Sequence, residues 1–61
     1  MNWIKVSETA PPTGRIILLY DTEYPEPMDR VWSNQFKEAE NVEDYVRSCP
    51  NAYWCDFTPP V

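Results

Sequence analysis

The sequence predicts a small α+β domain: a three-stranded antiparallel sheet in the order 2-1-3, with one short helix packed on one face, in the chain order ββαβ. Three stretches carry that expectation. Ile16-Ile17-Leu18-Leu19-Tyr20 is an unbroken apolar run of strand length. Val42, Tyr45, Val46 and Cys49 repeat at i, i+3, i+4 and i+7 ahead of Pro50, the period of an amphipathic helix. Residues 52–57 are rich in aromatics and bounded by Pro50-Asn51 and Pro59-Pro60, as a closing strand would be.

Taken in chain order, residues 2–6 (Asn-Trp-Ile-Lys-Val) form a short extended segment, leaving room for an extra N-terminal strand. Ser7 to Ala10 suits one capped turn, because a serine oxygen at an N-cap accepts an orphan backbone N–H. Pro11-Pro12-Thr13-Gly14 fits a type I turn, with proline second and glycine fourth. Residues 15–21 follow as the central strand. Their continuous apolar character is that of a strand covered on both faces. Thr22 to Asp29 is a loop, since Pro25 and Pro27 interrupt ladders and helices alike.

The stretch from 30 to 49 has two readings. Alternation over 30–37 places Trp32 and Phe36 on one face of a strand. The series Trp32, Phe36, Ala39, Val42, Val46, Cys49 instead fits one long helix. The strand followed by a helix is preferred, because Asn41 is a good N-cap and the repeat after it stands alone. Glu43 and Arg47 add an i, i+4 pair of the better orientation. With a hairpin first and the helix returning the chain, the last strand pairs antiparallel with the first, which puts the most apolar strand in the middle.

Composition narrows the function classes. Sixty-one residues make a single domain, 1–61, with three Trp, four Tyr and two Phe to supply a core. A chain this short buries only about 60% of its unfolded surface, so dimerisation is a natural reinforcement. Net charge is −5, which opposes direct binding to nucleic acid or anionic membranes. The longest apolar run is five residues, short of the ~20 needed to span a bilayer. No hydrophobic leader of roughly 7–15 residues is present, so a cytoplasmic location is expected, with Cys49 and Cys55 as reduced thiols rather than a disulfide.

Catalytic groups are scarce. There is no histidine, the commonest general base. Cys49 at a helix C-terminus faces the negative end of the dipole, which raises a thiol pKa. The C-x₅-C spacing falls short of a zinc ligand set. Asp21, Glu23, Glu26 and Asp29 lack the glycine and ligand spacing of a calcium loop. The expectation is therefore a non-enzyme without cofactor or metal.

The ends of the chain are distinctive: Trp3-Ile4-Lys5-Val6, then Pro11-Pro12-Thr13-Gly14, then Leu19-Tyr20-Asp21, and finally Trp54 with Pro59-Pro60. The frame W-I-x-V…P-P-x-G-x-x-x-L-x-Y-D…W-x-x-x-x-P-P resembles a family of very short phage and prophage proteins known as domain of unknown function 551. Family members often end T-H-W-M-P-L-P-x-P-P. This chain keeps the tryptophan and terminal prolines but lacks the histidine and one proline. The resemblance covers residues 3–21 and 53–60 and implies a phage accessory context. It transfers no functional residue, because the family has no assigned activity.

Residues 22–51 match that frame little, and loops carry function more often than scaffolds do. The candidate partner-binding residues are therefore Glu23, Tyr24, Glu26, Asp29, Trp32, Glu38 and Glu40. Tyr24 is the leading contact residue, held between acids and prolines. Among the tryptophans, two of the three are expected in the core and Trp32 partly exposed. The expected function is a phage or prophage accessory protein that binds and inhibits a host cytosolic protein, such as a defence component. A small homo-oligomeric structural or assembly protein is the alternative. An acidic nucleic-acid mimic fits less well, since five bases dilute the ten acids.

Overall fold

The computed structural model describes residues 2–57; Pro59-Pro60 of the closing frame lie outside the described residues. The chain forms a small α+β domain with strands β1 (Ile4–Lys5), β2 (Ile16–Tyr20), β3 (Val31–Gln35) and β4 (Tyr53–Asp56), and one helix, α1 (Ala39–Ser48), between β3 and β4. The four strands make one antiparallel sheet in the order β1-β4-β2-β3. The expected 2-1-3 order is the β3-β2-β4 part of it. The N-terminal segment adds a fourth strand outside β4, where Ile4 pairs Trp54 and Lys5 pairs Tyr53.

Alternation along the strands separates two faces. Ile17 and Leu19 are fully buried. Their cross-strand partners on that face are Asn34 and Trp32 of β3 and Trp54 of β4. Val6, Phe36, Val42 and Ala52 complete this core, against which Tyr45 and Val46 of α1 and its C-cap Cys49 pack. The helix thus covers the Ile17–Leu19 face, driven by apolar burial of about 25 cal/mol per Å².

The opposite face is not covered in the same way, which corrects the expectation that β2 is enclosed on both sides. Ile16 is 46% exposed and Leu18 and Tyr20 are half-buried. Val31, opposite Tyr20, is 45% exposed. Among the described residues α1 is the one α-helix and it lies on the other face, so here the run of β2 is partly shielded by aromatic rings. Trp3 meets Tyr20 edge-on with ring centroids 5.7 Å apart. Trp3 on this face and Trp32 on the helix face of the edge strand are both half-buried, so Trp54 is the one tryptophan fully in the core where two were expected.

Local chemistry departs from expectation in four places. The helix begins at Ala39, with Glu38 at the N-cap and no side-chain cap; the Asn41 N–H donates to the Glu38 carbonyl, so Asn41 sits in the first turn. Arg47 pairs with Asp44 at 3.3 Å instead of with Glu43. Ser7 does not cap a turn; the Glu8 and Thr9 N–H groups both donate to the Lys5 carbonyl. Finally, the Gly14 N–H donates to the Phe36 carbonyl at 2.8 Å rather than closing a turn on Pro11. Gly14 takes φ +81°, a region that favours glycine. Pro50 ends α1, and the Ala52 N–H donates to the Cys49 carbonyl across the Pro50-Asn51 turn into β4.

Candidate functional site

The loop from Asp21 to Arg30 joins β2 to β3 and is tied at several points. Its base closes where the Asp21 N–H donates to the Arg30 carbonyl at 2.8 Å. Across its width, the Arg30 Nε donates to the Tyr24 carbonyl at 2.9 Å. The Glu23 N–H donates to Asp21 Oδ1 at 3.0 Å, the local turn that aspartate makes readily. Asn51, in the turn after α1, donates through Nδ2 to Glu23 and accepts on its carbonyl from Thr22, both at 3.4 Å. Pro27 then opens a 3-10 turn, Pro27–Asp29, that delivers the chain into β3. A loop held this way loses little entropy when it is bound.

Between this loop, the start of β3 and the last turns of α1 lies an open cleft of about 450 Å³, lined by Asp21, Tyr24, Asp29, Val31, Trp32, Tyr45 and Cys49. Three aromatic rings and two carboxylates therefore share one concavity. Of the residues expected to bind a partner, Tyr24, Asp29 and Trp32 come together here. Glu23 and Glu26 belong to the same loop but do not line the cleft. Glu38 and Glu40 lie at the other end of β3, whose five residues span roughly 17 Å. The two acidic segments thus do not converge on one site.

Asp21, Val31, Tyr45 and Cys49 line the cleft but are not among the residues the sequence marks for partner binding. Tyr45 and Cys49 were legible only as helix-face residues at core spacing. What brings them to Tyr24 and Trp32 is the return of the chain through α1, a long-range arrangement with no local signal. Met28 was missed as well: it stands 95% exposed in the 3-10 turn, an adaptable apolar group on an otherwise acidic loop.

The electrostatics of the cleft have one sign. Burial pushes the Cys49 thiol upward, and Asp21 and Glu23 add to the shift. Burial likewise raises the Tyr45 phenol to about 12, with Cys49 and Asp21 contributing. Both groups are held protonated, the state opposite to that of a nucleophile. The Tyr45 hydroxyl is buried with no hydrogen-bond partner among the described residues. Its ring packs on Phe36 at 5.4 Å between centroids.

Elsewhere, Arg15 and Asp56 form an exposed ion pair at 2.9 Å, of small energetic weight. Cys49 and Cys55 form no disulfide. Among the described residues no three histidine, cysteine, aspartate or glutamate side chains gather as a metal-binding group, and no helix is long and apolar enough to cross a membrane. The chain matches no protein-family model, no curated protein and no solved structure.

Proposed function

We propose that this chain is a non-enzymatic phage or prophage accessory protein that binds and inhibits a cytosolic protein of the host, with defence components the target class. The observation that carries the reading is the cleft, where Tyr24, Trp32 and Tyr45 stand beside Asp21 and Asp29. Aromatic faces and carboxylates together suit a lysine or arginine side chain, through cation–π attraction and ion pairing. Burial is the main cause of the upward shifts of Tyr45 and Cys49, and the Asp21 carboxylate adds to both. A tied loop presenting Tyr24 and the exposed Met28 beside the cleft supplies apolar contact around that anchor.

The test is affinity capture from host lysate with the wild-type chain, Tyr24→Ala, Asp29→Asn and Arg15→Ala as baits. A specific protein held by the wild type and by Arg15→Ala, and lost with Tyr24→Ala and Asp29→Asn, is the expected result. Recovery of no specific protein overturns the proposal.

A further inference from the structure

We infer that β3 is a self-pairing edge, and that two copies of this chain associate by antiparallel β3–β3 addition centred on Ser33. β3 is the outer strand of the sheet and, among the described residues, pairs only with β2. In an antiparallel pair, hydrogen-bonded positions alternate with non-bonded ones. The bond from the Asp21 N–H to the Arg30 carbonyl sets that phase, since residues 21 and 30 continue the β2–β3 register. The Arg30 carbonyl and the backbone groups of Trp32 and Asn34 therefore face β2, while the Arg30 N–H donates to the Pro27 carbonyl. Val31, Ser33 and Gln35 direct theirs to the open edge.

That edge is unprotected. Natural sheets blunt edges with lysine, proline, bulges or inward-pointing charges, and Val31-Trp32-Ser33-Asn34-Gln35 contains none of those residues. The ladder from Ile16↔Gln35 to Tyr20↔Val31 runs without a bulge. β1, the other edge, is only two residues long. A full-length, uncharged and regular edge thus stands on one side of the domain alone.

The occupant is a second copy because the strand is complementary to itself. Centring an antiparallel pair on Ser33 sets Val31 opposite Gln35 of the second copy and Ser33 opposite its own equivalent. These are the positions whose N–H and C=O groups face outward, so each pair exchanges two hydrogen bonds. On the helix side, the half-buried Trp32 meets Asn34 of the second copy. Beyond the strand, Asp29 and Lys37 each lie four residues from Ser33. The two-fold operation turns the end of β3 that follows the Asp29 turn in each copy toward the end that precedes Lys37 in the other, and both residues are exposed. Glu26 and Glu38 stand near the same junctions, where Arg30 is tied to the Tyr24 carbonyl and Lys37 is the exposed cation. The product is a continuous eight-stranded sheet, closed by two-fold symmetry, with the faces bearing Ile16, Leu18 and Tyr20 on one side.

Sedimentation equilibrium on the full chain tests this. A concentration-dependent species of twice 7.2 kDa is expected for the wild type. Ser33→Pro removes an N–H that β2 does not use, so pairing within the domain survives and the dimer is lost. Lys37→Glu places four acids at each junction, counting Glu26, Asp29 and Glu38, and weakens association roughly tenfold or more. The exchange Asp29→Lys with Lys37→Asp restores it. Circular dichroism identifies a variant that fails to fold; if Ser33→Pro does, the two charge variants decide. A wild type that stays monomeric at every concentration overturns the inference, as does a dimer indifferent to Lys37→Glu. Neither Ser33 nor Lys37 lines the cleft, so loss of the dimer with retained partner capture separates this inference from the proposed function.

Discussion

The rings of Trp3 and Tyr20 meet at 5.7 Å with planes 77° apart, although β4 lies between β1, which follows Trp3, and β2, which ends in Tyr20. The contact straddles a whole strand on the face that the helix leaves uncovered. Together with Thr22 and Tyr53 the two rings line an open hollow of about 230 Å³. The N-terminal segment, anchored by only a two-residue strand, is thereby locked over the sheet. Trp3→Ala is expected to lower unfolding free energy by about 2 kcal/mol, from lost burial and the edge-to-face term. Urea unfolding followed by far-UV circular dichroism checks this, and a change below about 0.5 kcal/mol contradicts it, since that is the scale of an uninvolved surface residue.

Trp54 does more than fill the core. Its Nε1 donates to the Thr9 carbonyl at 2.8 Å, holding the turn after β1 against β4. Trp54→Phe keeps an aromatic ring but abandons that carbonyl. The expected cost is about 1–3 kcal/mol, larger than for Trp32→Phe at the half-exposed edge. Equal losses in urea unfolding for the two variants contradict this.

Gly14 separates conformational strain from steric fit. A Cβ there meets nothing within 4 Å, yet φ is +81°. Gly14→Ala is therefore expected to cost about 1–2 kcal/mol through backbone strain alone. Gly14→Asn recovers part of that loss, because asparagine tolerates this region better. Thermal unfolding orders the three proteins, and an alanine variant as stable as the wild type refutes the strain argument.

Tyr45 sets a high-pH limit on stability. Its phenol titrates near 10 when unfolded and at about 12 when folded, so the folded state holds the proton more tightly. The resulting stabilisation is complete below about pH 10 and is lost as pH rises toward 12. Tyr45→Phe removes this pH dependence. Near neutral pH it leaves stability unchanged or raised, because the hydroxyl it deletes is buried without a partner. Unfolding free energies measured from neutrality to pH 12 give both results, and a loss above about 1 kcal/mol at neutrality contradicts the reading.

The elements themselves were largely legible in the chain. Ile16 to Tyr20 is β2, the Val42, Tyr45, Val46 and Cys49 repeat is the buried stripe of α1, and Pro50 closes that helix. A hairpin followed by a helix left one sensible place for β4. The boundaries were less legible: Asn41 is a better cap by residue type, but the backbone of Glu38 starts the helix. The open sheet face was illegible, because five apolar residues in a row hide which alternate ones meet the helix. The cleft was half legible. Tyr24, Asp29 and Trp32 announce themselves by residue type near a proline-rich loop, whereas Asp21, Tyr45 and Cys49 join them only through tertiary return of the chain.

Chemical-shift mapping of the labelled protein against its captured partner tests the central claim, that the cleft is the contact surface. Adding that partner is expected to perturb the backbone amides of Asp21, Tyr24, Asp29, Trp32, Tyr45 and Cys49 most strongly, with those of Glu40 and Glu43 little changed. Perturbations centred instead on Glu40 and Glu43, or on Ile16 and Leu18 of the uncovered sheet face, contradict it.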